Sequence, residues 1–545
     1  MITGKLMGGL GNQLFIMASC YGYSKRQNLK CVIHAPSISY RTPKTEHYED
    51  TIFKHFDKVT HNITNIYNEP GKYALSYLDV PKMTGAVNLL YGYFQNEKYF
   101  EFCKEEFIHK LALTYKPILK ETCFIHVRRG DYLNVPLHHV DLNKYYVNAI
   151  NYVKMVSQNV RFLVFSDDIV WCKQQDIFRN MEFYENGNEV ESMMMMACCE
   201  IGGICANSSF SWWGSYLNRN KNKIVTFPNK WFNDPSFIVD IGYKGTIILP
   251  VDRIIPKMKI KVFSSFCSSE EAMNAYKNVC QISDNHLIEF VSGDDYTHAI
   301  LLNSAMPQLS VSKDKVLGLS FEPYIFQQNI FNNNMFIEYV KNNIGCYCIG
   351  TTGNLPKPFT PHYTYQWHKW QRPHEFTEYE KSNRMSIVLS DKMMTNSHAY
   401  RHQLVQAILK TDMDIHVWGR GCRLHGSDKR IKGSFVGSEP YESYEYTIAI
   451  ENNPEDYNIT EKFTDAIGYG CKVIYYGAPK INDVFGSKCC VKLMGNLELD
   501  LAIISKVYHN GVDIDVSSVK HQLFHGKGYL PYFLYHHFNL NGKTI

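Results

Sequence analysis

Arg128 and Arg129 follow directly on the apolar run Phe124–Val127, with His126 before them and Gly130-Asp131-Tyr132 after. Two guanidinium groups at a strand's carboxyl end could fork onto a diphosphate and neutralise its charge as it leaves. Asp131 could then orient an arginine or take a proton from an acceptor hydroxyl. The same residues also fit an exposed arginine pair in a structural salt bridge. Ser166-Asp167-Asp168 closes the apolar run Arg161–Phe165, and Asn207-Ser208-Ser209-Phe210-Ser211-Trp212-Trp213-Gly214 follows Gly202–Ala206 and opens a helix. Ser and Asn at such a start cap the helix and can bind phosphate; ordinary capping with two core tryptophans is the plainer alternative. Near the start, Met7-Gly8-Gly9-Leu10-Gly11-Asn12-Gln13 forms a glycine turn between a short strand (Ile2–Leu6) and a helix beginning near Asn12. Glycine there lets backbone approach a ligand, although such turns are common without one.

The second half carries its own set. Glu451 and Asn452 end the run Thr447–Ile450, and Tyr457-Asn458-Ile459-Thr460-Glu461-Lys462 leads into a helix, capped by Thr460, that Gly470 can end. Glu451 is placed to accept from ribose or sugar hydroxyls; Lys462 and the helix dipole can draw phosphate. A capped βαβ unit with a surface Glu–Lys pair would read the same. Upstream, Ser390-Asp391-Lys392 ends a strand, Arg401 sits in the first turns of the helix Ala399–Lys410, and Glu322 follows the strand Lys315–Ser320. A lone carboxylate so placed could be a general base or an exposed loop residue. Asp412-Met413-Asp414 has the D-x-D form of metal-dependent transferases, but it precedes the strand Asp414–Trp418, the wrong end of a sheet for a ligand, and reads as a surface turn.

These clusters need an α/β frame, and the chain supplies its rhythm twice. Lys144–Lys154 and Met193–Cys199 read as helices between the strands of the first half. Beyond Pro256, strands are expected at Lys259–Ser264, Ser386–Ser390 and Lys472–Tyr476 as well as those above. A chain of 545 residues exceeds one core, and the division is drawn at 1–255 and 256–545. The net charge of +4 comes without a basic stripe, which argues against nucleic acid as a partner. The 38 tyrosines suit either clefts that stack on rings or a Tyr-rich core. No apolar stretch approaches a membrane span, no secretory leader precedes the first strand, and the 16 cysteines are irregularly spaced. The expectation is a cytoplasmic protein with free thiols, in which the sequons at Asn62, Asn207 and Asn458 carry no glycan.

The glycine turn, Gly92-Tyr93-Phe94-Gln95, the run His126–Tyr132, Phe165-Ser166-Asp167-Asp168 and the run Asn207–Gly214 occur in an order that resembles the α-1,2-fucosyltransferase family over about residues 1–235. That resemblance implies GDP-fucose as donor substrate, held by Arg128 and Arg129, with Gly9, Gly11, Asn12, His126, Asp167, Asn207, Ser208 and Ser209 around it and Asp131 as base. The stretch from Lys315 to Phe485, densest in Ser386–Cys422 and Thr447–Phe485, resembles the α-1,3/1,4-fucosyltransferase family. It implies Arg401, Glu451, Asn452, Tyr457, Glu461 and Lys462 on the donor and Glu322 as base. Asn453 stands where that family has Ser after Glu-Asn, and residues 258–380 resemble it much less, leaving acceptor and linkage open. Together the resemblances imply two tandem GT-B-like domains, each of two Rossmann-like halves, with no cofactor and no required metal, Arg and Lys taking its place. The acceptor would be an oligosaccharide or glycoconjugate. Two rivals stand: a different GDP-sugar in one domain, or a domain that binds without catalysis.

Overall fold

A computed structural model describes residues 1–38, 48–71, 75–157, 159–185, 187–281, 287–367 and 377–539. The chain divides into two compact units, Met1–Ile255 and Pro256–Ile545.

The first unit is built on a six-stranded, wholly parallel sheet. In chain order its strands are Thr122–Val127, Arg161–Ser166, Glu182–Phe183, Gly202–Ile204, Ile224–Pro228 and Ile247–Leu249. Their spatial order is 3-2-1-4-5-6, the doubly wound arrangement. Thr122–Val127 is buried along its whole length, as a central parallel strand must be. Beside it, Ile2–Gly4, Asn88–Tyr91 and Asn65–Asn68 form a three-stranded parallel sheet. The second Rossmann-like half expected for this unit is therefore, among the described residues, a smaller sheet.

The helix Leu10–Gln27 joins the two layers. Gly11 lies against the start of the helix Ser209–Tyr216 so closely that a β-carbon would come within 2.5 Å of the Ser209 carbonyl carbon. Phe15 meets Trp212 with ring centroids 4.4 Å apart, and Phe100 stacks on Trp213 at 5.6 Å. Both tryptophans are fully buried, so that part of the Asn207–Gly214 run is core.

The second unit holds two six-stranded parallel sheets. In the first, Met258–Ser264, Ile288–Val291, His298–Leu302, Val316–Leu319, Cys346–Ile349 and Phe359–Pro361 lie in the order 2-1-3-4-5-6. In the second, Asn383–Val388, Ile415–Trp418, Ile431–Gly433, Tyr444–Ile450, Lys472–Tyr476 and Val491–Lys492 lie in the order 3-2-1-4-5-6. All 16 cysteines are free thiols, and among the described residues no helix is long and apolar enough to cross a membrane.

Candidate functional site

In a 3-2-1-4-5-6 sheet the crevice opens between strands 1 and 4, beyond their carboxyl ends. In the first unit those ends are Val127 and Ile204, and a cavity of about 370 Å³ lies there. Gly9, Gly11, Asn12, Arg128, Asp131, Ser208 and Ser209, all expected from the sequence, line it. Two helix N-termini converge on it. Ser208 caps one, accepting from the Phe210 amide at 3.3 Å, while Gly9 leaves the other without a side-chain cap. Asn12 ties them together, its Oδ1 accepting from Ser209 Oγ at 2.6 Å and from Gln95 Nε2 at 2.7 Å. Paired N-termini beside a guanidinium form an anion-binding corner.

The arginine pair does not converge as the sequence suggested. Successive side chains at a strand end leave on opposite sides. Arg128 faces the cavity, bracketed by Asp131 and by Asp167 at 2.7 Å. Arg129 turns away to Asp168 at 3.0 Å and lies over the Trp171 ring at 3.7 Å. Asp167 also accepts from the Arg129 amide at 2.9 Å, so it braces the turn and does not line the cavity. Asn207 is buried and spans two carbonyls, His138 O at 3.0 Å and Trp231 O at 2.8 Å. It orients the loops on which His138, Trp231 and Phe232 reach the cavity. His126 lies beneath Phe210, its ring pushed down to about 3 by burial and by Arg128, so it is neutral. The aromatic wall of Tyr132, His138 and Phe232, with Tyr93 opposite, was not singled out from the sequence. These residues come from loops whose meeting depends on long-range folding; the Gly92–Gln95 and His126–Tyr132 motifs, which hold Tyr93 and Tyr132, were the signals.

The second unit repeats the arrangement on its 3-2-1-4-5-6 sheet. A cavity of about 600 Å³ opens past Val388 and Ile450 and reaches Phe321–Pro323 of the neighbouring sheet. Arg401, Asn452, Glu461, Lys462 and Glu322 all line it. Arg401 is buried; its Nη2 donates to Ile450 O at 2.6 Å and its Nη1 to Ser390 Oγ at 3.3 Å. Burial pulls this guanidinium down to about 10, still charged at neutral pH. Lys462, at the start of the helix Glu461–Gly468, donates to Glu461 at 2.8 Å. Burial opposes its charge, but Glu461 and Glu451 more than offset that and raise it. Glu322 stands at the mouth, where the surrounding walls desolvate its carboxyl and raise it above the usual range against the pull of Lys392 and Lys462.

Two expected donor contacts face elsewhere. Glu451 is fully buried, taking the Thr460 amide at 2.9 Å, the Thr460 hydroxyl at 2.8 Å and the Tyr475 hydroxyl at 3.1 Å. It builds the turn that aims the helix. Tyr457 donates to Asp483 at 2.9 Å outside the cavity, and its neighbour Asn458 lines it instead. Asp412–Asp414 lies at the opposite edge of the sheet, where Met413 O accepts from Arg430 at 2.8 Å. Ser434, Phe435 and Tyr441 also line the cavity and were not anticipated.

Doubly wound sheets with an anion-binding corner at the switch point define an α/β protein whose geometry suits a phosphate-bearing ligand. The model of Glycosyl transferase family 11 matches residues 32–240. "Alpha-1,2-colitosyltransferase" of Escherichia coli is 30% identical over 279 residues, covering 42% of this chain and 92% of that protein. "Galactoside 2-alpha-L-fucosyltransferase" of Caenorhabditis elegans is 25% identical over 259 residues, covering 41% and 71%. A crystal structure of an alpha1,3-fucosyltransferase with GDP-fucose aligns with 54% of this chain and 93% of its own at 14% identity, with a TM-score of 0.31. The chain belongs to glycosyl transferase family 11 and is a glycosyltransferase.

Proposed function

We propose that the chain transfers fucose from GDP-fucose to a glycan at two separate sites. The observation that carries this is the recurrence of one arrangement. Each unit has a 3-2-1-4-5-6 sheet whose switch-point cavity holds an arginine, a helix N-terminus and a carboxylate. The fucosyl identity is supported for the first unit by its relatives and for the second by the Glu451–Lys462 motif. Each unit acts as a GT-B-like transferase.

In each cavity the diphosphate sits on the helix N-terminus and the arginine, and an acceptor hydroxyl attacks the sugar's C1 from the opposite side. The new bond forms as the C1–O bond to GDP breaks, and the hydroxyl proton goes to the carboxylate, inverting the centre. Asp131 serves the first cavity and Glu322 the second. In the first, Arg128 holds Asp131 until the diphosphate engages the guanidinium, which leaves the carboxylate open to the proton. Electrostatic stabilisation of the departing diphosphate by Arg128, or by Arg401 with Lys462, takes the place of a metal. The first unit makes Fuc-α-1,2-Gal and the second an α-1,3 link to N-acetylglucosamine or glucose. A second reading, favoured by the 30% identical colitosyltransferase, is that the first cavity takes colitose from its GDP-sugar.

The test is incubation with GDP-fucose and Gal-β-1,4-GlcNAc in EDTA, with mass spectrometry and linkage analysis. Two deoxyhexoses, one on each sugar, are expected. A single addition locates the one active unit and ends the two-site reading. Bound donor without transfer would point to a different acceptor or to a chain that binds the donor without catalysis. Faster transfer from GDP-colitose would reassign the first donor.

A further inference from the structure

The Gly92–Gln95 loop brings Tyr93 and Gln95 to the first cavity from the end of a strand of the three-stranded sheet, whereas Arg128 comes from the six-stranded one. What holds that loop is a residue outside every cluster considered so far. Glu69 follows the strand Asn65–Asn68, and its carboxylate reaches across to Asn88–Tyr91. It accepts from the Tyr93 amide at 2.7 Å and from the Phe94 amide at 3.0 Å. Two further features show that the contact is built in. Gly92 lies so near that a β-carbon there would come within 2.3 Å of Glu69 Cβ and 2.5 Å of its Oε2. Phe94 takes φ +49°, a left-handed conformation that costs a bulky residue energy and needs outside support. From the clasped loop the connection continues through Gln95 to Asn12 and Ser209, the two helix starts of the anion corner.

Resting on the fucosyl-transfer reading above, we propose that Glu69 is a positioning residue that sets the acceptor side of the first cavity by clasping the Tyr93–Phe94 backbone. The carboxylate does not line the cavity and touches no substrate. It fixes the direction in which Tyr93 presents its ring and Gln95 its amide, while the donor's diphosphate lies against Arg128 and Ser208–Ser209. Acceptor binding therefore depends on Glu69 more than donor binding does, because the donor's corner meets the clasped loop only through Gln95 and Asn12.

Burial raises the Glu69 carboxyl to about 7 against the two amides that hold it down. Among the described residues, the titratable groups that feel its charge are the Tyr67 phenol on its own strand and the Tyr99 phenol, both raised and so neutral in this range. The ionised clasp thus forms as pH rises through about 7.

Glu69→Gln keeps the shape but cannot accept two amides as a charge. In the full chain, the KM for the galactoside acceptor in forming Fuc-α-1,2-Gal should rise about tenfold, with the GDP-fucose KM within about twofold. The unmutated chain's acceptor KM should fall between pH 6 and 8 and that of Glu69→Gln should stay flat. Glu69→Asp should recover part of the acceptor affinity. An α-1,2 product with unchanged acceptor KM in Glu69→Gln overturns the inference and leaves the transfer reading intact. An equal rise in donor KM also overturns it, as a loss of general structure. An unmutated chain that makes no α-1,2 product overturns the transfer reading and this inference with it.

Discussion

The two cavities sit at the same switch point of the same sheet order, yet they receive their cations from different kinds of element. In the first unit Arg128 comes from the strand end itself, where it stays partly open to solvent and is bracketed by Asp131 and Asp167. In the second, Arg401 and Lys462 come from the helices Asn396–Ile408 and Glu461–Gly468. Arg401 is 3% exposed and spends its hydrogen bonds on a carbonyl, a hydroxyl and the Asn452 amide oxygen. Among the described residues no carboxylate is in ion-pair contact with it. A buried guanidinium bonded to neutral groups, with Glu451 and Glu461 helping only at a distance, is stabilised less than one in direct ion pairs, so on the proposed reading an incoming diphosphate has more to offer Arg401 than Arg128. The difference teaches that one switch point can be charged in two ways: by a strand-end arginine already paired with carboxylates, and by a helix-borne arginine held by neutral groups.

Crossed substitutions break that comparison most sharply. Arg401→Ala should lower the second transfer by about 10²–10³-fold, the range for removing a preorganised transition-state donor. Arg128→Ala should cost the first transfer less, about 10–10²-fold, because the guanidinium must leave two carboxylates before it helps. Each variant should leave the other linkage within about twofold, since on the two-site reading each cavity belongs to its own unit. The measurement is kcat/KM for each linkage separately. Loss of both linkages in either variant would mean one active site serving both products.

The carboxylates sharpen the same contrast through pH. On the proposed reading Glu322 must be ionised to take the acceptor proton, and its carboxyl is raised by desolvation in the cavity. The second transfer should therefore lose kcat/KM as pH falls, with the acid limb above the ordinary glutamate value of about 4.3. Stability runs the other way: a raised carboxyl binds its proton more readily folded than unfolded, so its contribution is present below the unfolded pKa and is lost as pH rises through the folded one. Activity and stability should thus diverge in that window. Glu322→Gln should remove the limb along with most of the rate; a limb that survives would assign it to another group.

Much of this frame was legible because strand ends announce themselves. A short apolar run followed by a charged, capping or turn residue marks Thr122–Val127, Arg161–Ser166, Tyr444–Ile450 and Lys472–Tyr476 to within a few residues. Gly202–Ile204 and the helix Ser209–Tyr216 were visible for the same reason. The strands at Asn65–Asn68, Ile288–Val291 and His298–Leu302 were not, being only four or five residues long. Sheet order was not legible either, because pairing is non-local. Nor was the side of the strand end on which a residue leaves: Arg128 and Arg129 are adjacent in sequence and diverge in space, and Glu451 sits at a strand end but points into the protein. Tyr457 and Asn458 differ by one position, and the loop's bond from the Tyr457 amide to Gly350 O at 3.0 Å sets the turn from which only Asn458 reaches the cavity.

The smallest expected effect tests the divergence of the arginine pair. Arg129 makes a partly exposed ion pair with Asp168 and a cation–π contact with Trp171, worth together about 1–2 kcal/mol. Arg129→Ala should lower the first unit's melting temperature by a few degrees, about 2–4 °C per kcal/mol for a unit of this size. GDP affinity should change by less than about threefold, because the guanidinium lies behind the turn and not on the cavity. Calorimetric titration with GDP beside Arg128→Ala decides it. Equal losses of GDP affinity in the two variants would mean that Arg129 swings off Trp171 onto the diphosphate when donor binds. The strand-end site would then close around its ligand, while the helix-borne site of the second unit is already formed.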